Sequence, residues 1–172
     1  MKWGDKVVVW VAQGFGSGRL KPGPGTWGSV VGLAWTALLL LPESLPCYLI
    51  GILGGVATSV WICGRAEKSL GEKDPSSVVL DEIVAVPACF LVPVVLCSVL
   101  PHGNHFQASD LWTDGAWGWK RTVFVFAAFR LFDIWKPWPV RQSQSLPGGW
   151  GVTVDDLLAA LYVNLVSLPF LL

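Results

Sequence analysis

The chain has 172 residues, of which 53% are hydrophobic and only 14% are charged, and its formal net charge is zero. A soluble domain of this length usually carries about 25% charged residues, so the composition favours one membrane-embedded domain over the whole chain. A neutral chain without a basic stripe gives no reason to expect a nucleic-acid partner. The four cysteines have no CxxC spacing, which favours packing thiols over a zinc site or a disulfide framework.

The first predicted helix lies at the N-terminus. Trp3, Val7, Trp10 and Val11 recur at helical spacing with charged residues between them. Such an amphipathic pattern is typical of a helix that lies in the membrane interface. The eleven Trp residues suit the same environment, because an indole ring is stable half-buried among lipid headgroups while its N–H stays wet.

Apolar segments follow, and they predict an all-α integral membrane protein. In chain order they are Ser29–Leu41, Cys47–Cys63, Ile83–Leu100, Thr122–Trp135 and Val154–Leu172. A helix needs about 20 apolar residues to cross the hydrocarbon core, and the second, third and fifth segments approach that length. The first and fourth are shorter, so they are expected to tilt or to be partly re-entrant. We predict about five transmembrane or partly re-entrant helices plus the N-terminal interfacial helix, with four crossings as the alternative.

The loop charges predict an orientation for these helices. If 14–28 is cytoplasmic, nine Lys and Arg residues fall on that side and two on the other, with the intramembrane Arg130 left out. Because positive loops stay inside, the first side is predicted to be cytoplasmic. The acidic residues of the apolar segments then all lie at cytoplasmic helix ends: Asp81, Glu82, Asp133, Asp155 and Asp156.

These five carboxylates form the candidate metal site. Ionisable groups at membrane depth are costly, so they are usually paired or functional. Carboxylates from separate helices supply the oxygen ligands that Mg²⁺ prefers while it bridges to a phosphate. The structural alternative is that acidic residues favour helix N-termini, which accounts for Asp81–Glu82 or Asp155–Asp156. It does not account for Asp133, which closes its segment.

A second pattern places cations beside a carboxylate. Arg130, Asp133 and Lys136 are three residues apart, so they share a helix face as far as the helix continues before Pro137. Such cations can bind phosphate and orient the carboxylate. The alternative interpretation is a self-neutralising ion triad within the membrane.

A third pattern is the glycine-rich run 14–29. Its glycines would let backbone N–H groups approach an anion, Thr26 or Ser29 is a candidate helix cap, and Arg19 adds positive charge. The run lacks the GK[ST] of a Walker A loop, so a plain re-entrant loop is an equally good interpretation. No Gly-x-Ser-x-Gly elbow occurs, which disfavours a serine nucleophile.

Several blocks in this order resemble the bacterial phosphatidylglycerophosphatase A family. They are Gly14–Gly18, Pro24–Ser29, Val79–Val84, Phe132–Pro139 and Gly148–Ala159. The FDIWKPWP and GGWGVTVDDLLA blocks are the most specific of them. Ala85 departs mildly from the family, which often has Gly there, and Pro101–Trp119 carries no family signal.

The resemblance implies a phosphoric monoester hydrolase with a phospholipid substrate in the bilayer. It would convert phosphatidylglycerophosphate to phosphatidylglycerol and phosphate in phospholipid biosynthesis, with Mg²⁺ as cofactor. The expected location is the bacterial inner membrane, multi-pass, with the active site on the cytoplasmic side. The alternatives are a phosphatase of another membrane lipid phosphate, and a non-catalytic transporter or scaffold. No oligomeric state follows from the sequence.

The residue roles follow from the resemblance and the side-chain chemistry together. The expected catalytic residues are Asp133, Asp81 and Asp156. The expected metal ligands are Asp81, Glu82, Asp155 and Asp156. The expected phosphate-binding residues are Arg130, Lys136, Thr26 and Arg19. Asp133 either joins the metal ligands or acts as general base on the attacking water, and a covalent aspartyl-phosphate on one of the aspartates is an alternative.

Overall fold

The computed structural model describes residues 2–99, 106–114 and 118–170, and within these ranges the chain is helical with no strand. In chain order the helices are α1 Trp3–Ala12, α2 Pro24–Leu40, α3 Leu45–Leu70, α4 Leu80–Cys89, α5 Leu91–Val99, α6 Trp119–Trp135, α7 Val140–Ser143 and α8 Gly149–Ser167. Short 3₁₀ helices lie at Gly14–Arg19, Ala108–Leu111 and Leu168–Phe170. The predicted all-α fold is confirmed. The ends of the third and fifth predicted segments, at 100 and 171–172, lie outside the described residues.

Two helical stretches of the described chain are long and apolar enough to cross a membrane. They are Leu45–Leu70 and Leu80–Val99, the second of which is α4 together with α5. Pro24–Leu40 is a shorter apolar helix that begins ahead of the predicted Ser29, because a proline suits the first turn of a helix. Five crossings therefore remain a prediction.

The N-terminal helix is confirmed as a helix. α1 packs on α3 through the buried Val9 and Ala12, while Trp3, Val7 and Trp10 are exposed on its outer side. This distribution agrees with the amphipathic pattern of the sequence. Its location in a membrane interface remains a prediction.

The third predicted segment is two helices, and Asn164 of α8 lies at the break between them. Pro93 has no N–H, so the helical ladder cannot continue unbroken through this region. The Val92 N–H donates to Asn164 Oδ1 at 3.0 Å, and Asn164 Nδ2 donates to the Ala88 carbonyl at 2.7 Å. One side chain thus satisfies both backbone groups of an interrupted turn, as an apolar environment requires.

The start of α8 is fixed by a close crossing with α3. A Cβ atom on Gly149 would collide with the Val60 carbonyl, and one on Gly64 would lie 2.8 Å from the Gly149 nitrogen. Beside this contact the hydroxyls of Ser59 and Thr153 share a buried hydrogen bond of 2.9 Å. Small residues let the backbones approach closely, and this approach brings the first turns of α8 to the same end of the bundle as the start of α4.

Candidate active site

Three helix ends meet at one end of the bundle: the start of α4, the end of α6 and the start of α8. They carry the five predicted carboxylates, whose charges act on one another across the helices. Relative exposure is 6% for Asp81, 9% for Asp133, and 3% for both Asp155 and Asp156. The structure therefore brings the predicted acidic residues into one buried cluster.

Arg130 joins three helices through a single nitrogen. Its Nη1 donates to Glu82 Oε1 at 3.0 Å and to Asp133 Oδ2 at 2.6 Å, with a longer contact of 3.5 Å to the Ser29 hydroxyl. These partners lie on α4, on α6 itself and on α2. The guanidinium therefore positions Glu82 and Asp133 relative to each other, and charge-assisted bonds of this kind are the stronger ones in proteins.

Lys136 is the second cation of the cluster. α6 ends at Trp135, and Lys136 turns into the left-handed region with φ of 48°. The shared helix face predicted for this residue is thus interrupted, yet its Nζ lies 2.5 Å from Asp155 Oδ2 and 3.9 Å from Asp133 Oδ1. Burial acts to lower the pKa of Lys136, but the hydrogen bond and charge of Asp155, followed by the other nearby carboxylates, raise that pKa above its ordinary value.

Tyr162 holds the loop that carries Lys136. Its hydroxyl donates to the Trp138 carbonyl at 2.5 Å, and its ring stacks on Phe132 with centroids 5.2 Å apart. This α8 residue therefore ties the chain after α6 to the helix that carries Asp155. Sequence reasoning missed it, although its spacing from Asp155 by seven residues puts both on one side of α8.

Buried carboxylate oxygens without a partner remain in the cluster. They are Asp81 Oδ1, Glu82 Oε2 and Asp155 Oδ1. Five carboxyl groups face two cationic side chains, so acidic groups outnumber cations in the cluster. Among the described residues no three His, Cys, Asp or Glu side chains already stand as a metal-ligand group. The donor chemistry itself, buried carboxyl oxygens without a partner on three residues, fits a hard cation such as Mg²⁺.

The first turn of α2 lies against Glu82. A Cβ on Gly25 would collide with Glu82 Oε1, and one on Gly28 would lie 2.6 Å from Glu82 Oε2. The expected cap by Thr26 or Ser29 is wrong: Gly23 is the N-cap, no side chain caps the helix, and the Ser29 hydroxyl donates back to the Gly25 carbonyl. The helix starts at Pro24, so both side chains lie beyond the capping position.

Arg19 and Thr26 are exposed. Arg19 belongs to a hydrogen-bond network that does not include the carboxylate cluster. Arg19 Nε donates to Gln13 Oε1 at 2.7 Å, and Gln13 Nε2 donates to the Ser77 hydroxyl at 3.0 Å. A Cβ on Gly18 would collide with the Ser77 carbonyl. The Gly14–Gly18 block therefore packs against the segment that leads into α4. Gln13 and Ser77 hold these two segments together, and sequence reasoning missed both residues.

Gly28→Ala tests this packing. The new methyl would meet Glu82 Oε2 at 2.6 Å and Val79 Cβ at 2.8 Å, and a Cβ atom cannot rotate away. We expect the free energy of unfolding to fall by about 1–3 kcal/mol, the usual cost of overpacking. Gly54→Ala is the matched control, since nothing lies within 4 Å of its added Cβ. Equal thermal midpoints for the two purified variants would contradict the close contact.

Comparison with known proteins places this chain in a family. The family model described as Phosphatidylglycerophosphatase A matches residues 10–171. The chain belongs to the phosphatidylglycerophosphatase A family. The resemblance seen in the motifs and the prediction of a lipid phosphatase are thereby confirmed.

Curated relatives are similar to this chain over most of its length. The phosphatidylglycerophosphatase A of Haemophilus influenzae is 34% identical over 157 residues, which is 91% of this chain and 83% of that protein. The phosphatidylglycerophosphatase A of Escherichia coli is 31% identical over 153 residues, or 88% of this chain and 76% of that protein. A Bacteroides thetaiotaomicron protein named "Putative phosphatidylinositol-3-phosphatase" is 34% identical over 166 residues, or 94% and 92%. No solved structure matches the chain.

Proposed function

We propose that this chain is a Mg²⁺-dependent phosphatidylglycerophosphatase, which hydrolyses phosphatidylglycerophosphate to phosphatidylglycerol and phosphate at the cytoplasmic face of the bacterial inner membrane. Family membership supports the phosphatase chemistry. The observation that carries the site assignment is the buried cluster of carboxylates and cations at one end of an apolar helical bundle. A lipid keeps its acyl chains beside such helices while its headgroup reaches their ends.

The proposed metal ligands are Asp81, Glu82, Asp155 and Asp156. Three of these residues have a buried oxygen without a partner: Asp81, Glu82 and Asp155. When bound, Mg²⁺ would neutralise the phosphate oxygens and polarise the phosphorus for attack. Its positive charge would also offset the surplus of carboxylates that would otherwise repel a phosphate monoester.

The protein's own groups hold the phosphate and the water. Asp133, with Asp81 and Asp156, is proposed as catalytic, either as general base on the attacking water or as a further ligand. Arg130 and Lys136 are already fixed on the carboxylates, and their remaining N–H groups are proposed to bind phosphate oxygens and offset charge in the transition state. Thr26, in the first turn of α2, is proposed to donate a hydrogen bond to the phosphate.

Arg19 is proposed to attract the anionic headgroup from the surface, because it is exposed and its guanidinium is held by Gln13. Its loop belongs to the positively charged side of the chain. This charge bias supports a cytoplasmic active site.

Exposed Trp residues at both ends of α6 support a membrane-spanning position. Trp119 is 45% exposed at its start and Trp135 is 67% exposed at its end. The helix has 17 residues, so its length is about 25 Å at 1.5 Å per residue. Indole rings at this separation suit the interfaces of a bilayer, and Arg130 and Asp133 would then lie just inside the interface at Trp135.

A phosphatase of another lipid phosphate is the second candidate. The observation that favours it is the Bacteroides relative, which is as similar to this chain as the Haemophilus protein but is named for a phosphoinositide. Both candidates use the same phosphate chemistry and differ in the headgroup that carries the phosphate.

One substrate panel separates these candidates. Purified protein in lipid nanodiscs is given phosphatidylglycerophosphate, phosphatidylinositol 3-phosphate or phosphatidic acid, with Mg²⁺ or with a chelator, and released phosphate is measured. We expect the highest kcat/KM for phosphatidylglycerophosphate and no turnover in chelator. A preference for the phosphoinositide would transfer the assignment to the second candidate. No release from any lipid would favour a transporter or scaffold.

A further inference from the structure

An open cavity of about 240 Å³ lies at the same end of the bundle as the carboxylate cluster. Three parts of the chain form it: the end of α3, the loop that follows α3, and the chain from the end of α7 into the first turn of α8. Its lining residues are Glu67, Lys73, Asp74, Gln144, Gly151 and Val152. The polar side chains among them, Glu67, Lys73, Asp74 and Gln144, offer hydrogen-bond partners to water in the cavity.

The cavity adjoins the cluster through the first turns of α8, which supply Gly151 to its lining and Asp155 to the cluster. Gly151 precedes Asp155 by four residues on α8, so the two share one face and lie about 6 Å apart along the axis. Gly151 is on the side of the helix start, and the apolar part of α8 continues in the other direction. The carboxylate of Asp74 is within electrostatic range of both Asp155 and Asp81.

Asp74 is held in a fixed conformation at the wall of this cavity. It adopts a positive φ of 50°, which is uncommon for a residue other than glycine. Its backbone N–H donates to Glu67 Oε1 at 2.9 Å, and its Oδ2 accepts a hydrogen bond of 3.2 Å from Gln144 Nε2. One local contact, to Glu67, and one long-range contact, from Gln144, therefore hold the exposed Asp74 in place.

Phosphoryl transfer places the attacking and leaving oxygens on opposite sides of the phosphorus. In the proposed reaction the leaving oxygen belongs to the lipid, so it departs toward the bilayer. The attacking water must then arrive from the side on which the cavity lies. Resting on the proposed function, we infer that this cavity supplies the attacking water and releases the product phosphate, and that Asp74 and Gln144 are positioning residues for that water.

The step is balanced without any further reactant. The water oxygen forms a bond to phosphorus as the bond from phosphorus to the glycerol oxygen breaks. One water proton stays on the released hydrogen phosphate, and the other reaches the departing glycerol oxygen through the carboxylates of the site. Water and phosphate then exchange with solvent through the cavity, while the lipid product remains in the bilayer.

Gln144→Trp fills the cavity, and Asp74→Asn removes the positioning charge while keeping its shape. The controls are Gln142→Trp, an exposed residue of α7, and Asp114→Asn, an exposed residue outside the site. Initial rates of phosphate release and inhibition by added inorganic phosphate are measured over a range of lipid concentration. Thermal midpoints identify any variant that does not fold. If Gln144→Trp does not fold, Asp74→Asn still tests the inference.

We expect both cavity variants to lose about tenfold or more in kcat, with KM for the lipid unchanged within about twofold, because lipid binding does not use the cavity. Gln144→Trp should also weaken inhibition by inorganic phosphate, and the controls should match the wild type. Normal kcat in folded cavity variants, or a change in KM alone, would overturn this inference and leave the proposed function standing. An inactive wild type would overturn both.

Discussion

Asp133→Asn is expected to lower kcat/KM for phosphate release by about 10³-fold while the protein stays folded. Asp133 accepts from Arg130 at 2.6 Å and lies 3.9 Å from Lys136, so it is the carboxylate that links the two cations. Its loss leaves Arg130 paired with Glu82 and Lys136 paired with Asp155, so neither cation is left unpaired. The activity loss is measured in nanodiscs, with elution volume and thermal midpoint as measures of folding.

Asp114→Asn is the matched control for that substitution, because Asp114 is exposed and lies outside the cluster. Its rate of phosphate release should equal that of the wild type. A folded Asp133→Asn variant with full activity would show that Asp133 has neither a catalytic nor an orienting role. The assignment of the whole α6 motif would then have to be withdrawn.

Lys136→Met is expected to affect stability as well as activity. Asp155 is 3% exposed, and removing its ammonium partner at 2.5 Å leaves a buried carboxylate without compensation. Breaking such a pair costs about 3–5 kcal/mol in the free energy of unfolding, and phosphate release should fall to background. Added Mg²⁺ should raise the thermal midpoint of the variant more than that of the wild type, since a bound cation can replace the lost charge.

The difference in the free energy of unfolding between wild type and Lys136→Met depends on pH because the pKa of Lys136 is raised in the folded protein. A group whose pKa is higher in the folded than in the unfolded state stabilises fully below the unfolded value, about 10.4 for Lys, and loses that contribution above the folded value. The stability gap between wild type and Lys136→Met should therefore be constant from pH 7 to about pH 9 and shrink above about pH 10.5. Lys120→Met, at the exposed start of α6, is the control. An equal loss of stability in Lys136→Met and Lys120→Met would contradict a buried ion pair between Lys136 and Asp155.

The acidic cluster could be predicted because it depends on the type of its residues and on their positions along the apolar segments. Asp81–Glu82 start one apolar helix and Asp133 lies near the end of another, as the sequence predicts. The predicted start of the last helix beside Asp155–Asp156 is wrong, because α8 begins at Gly149 and places these two residues in its second turn, yet still at the same end of the bundle. Ionisable residues within apolar segments are rare enough that their positions are informative. The structure adds which oxygens of Glu82 and Asp155 are bound to a cation and which are without a partner.

Other features could not be predicted because they depend on distant contacts. The Asn164 side chain accepts a hydrogen bond from the Val92 N–H, although 72 positions separate the two residues in the sequence. The Gln13 side chain donates to the Ser77 hydroxyl across 64 positions. Neither pairing has a local pattern in the sequence, so the helix break and the packing role of the Gly14–Gly18 block became visible only in three dimensions. Asp74 was missed for the same reason, since its loop looks like a polar connection until α7 folds against it.

The central claim is that the buried carboxylates form one cation site for lipid-phosphate hydrolysis. Binding of Mn²⁺, as a substitute for Mg²⁺, tests it most directly through the loss of the free-ion electron paramagnetic resonance signal. Wild type in nanodiscs should bind saturably, the double variant Asp155→Asn with Asp156→Asn should bind at least about tenfold more weakly, and Asp114→Asn should match the wild type. Equal affinity of the folded double variant and the wild type, or no binding by either, would contradict the claim.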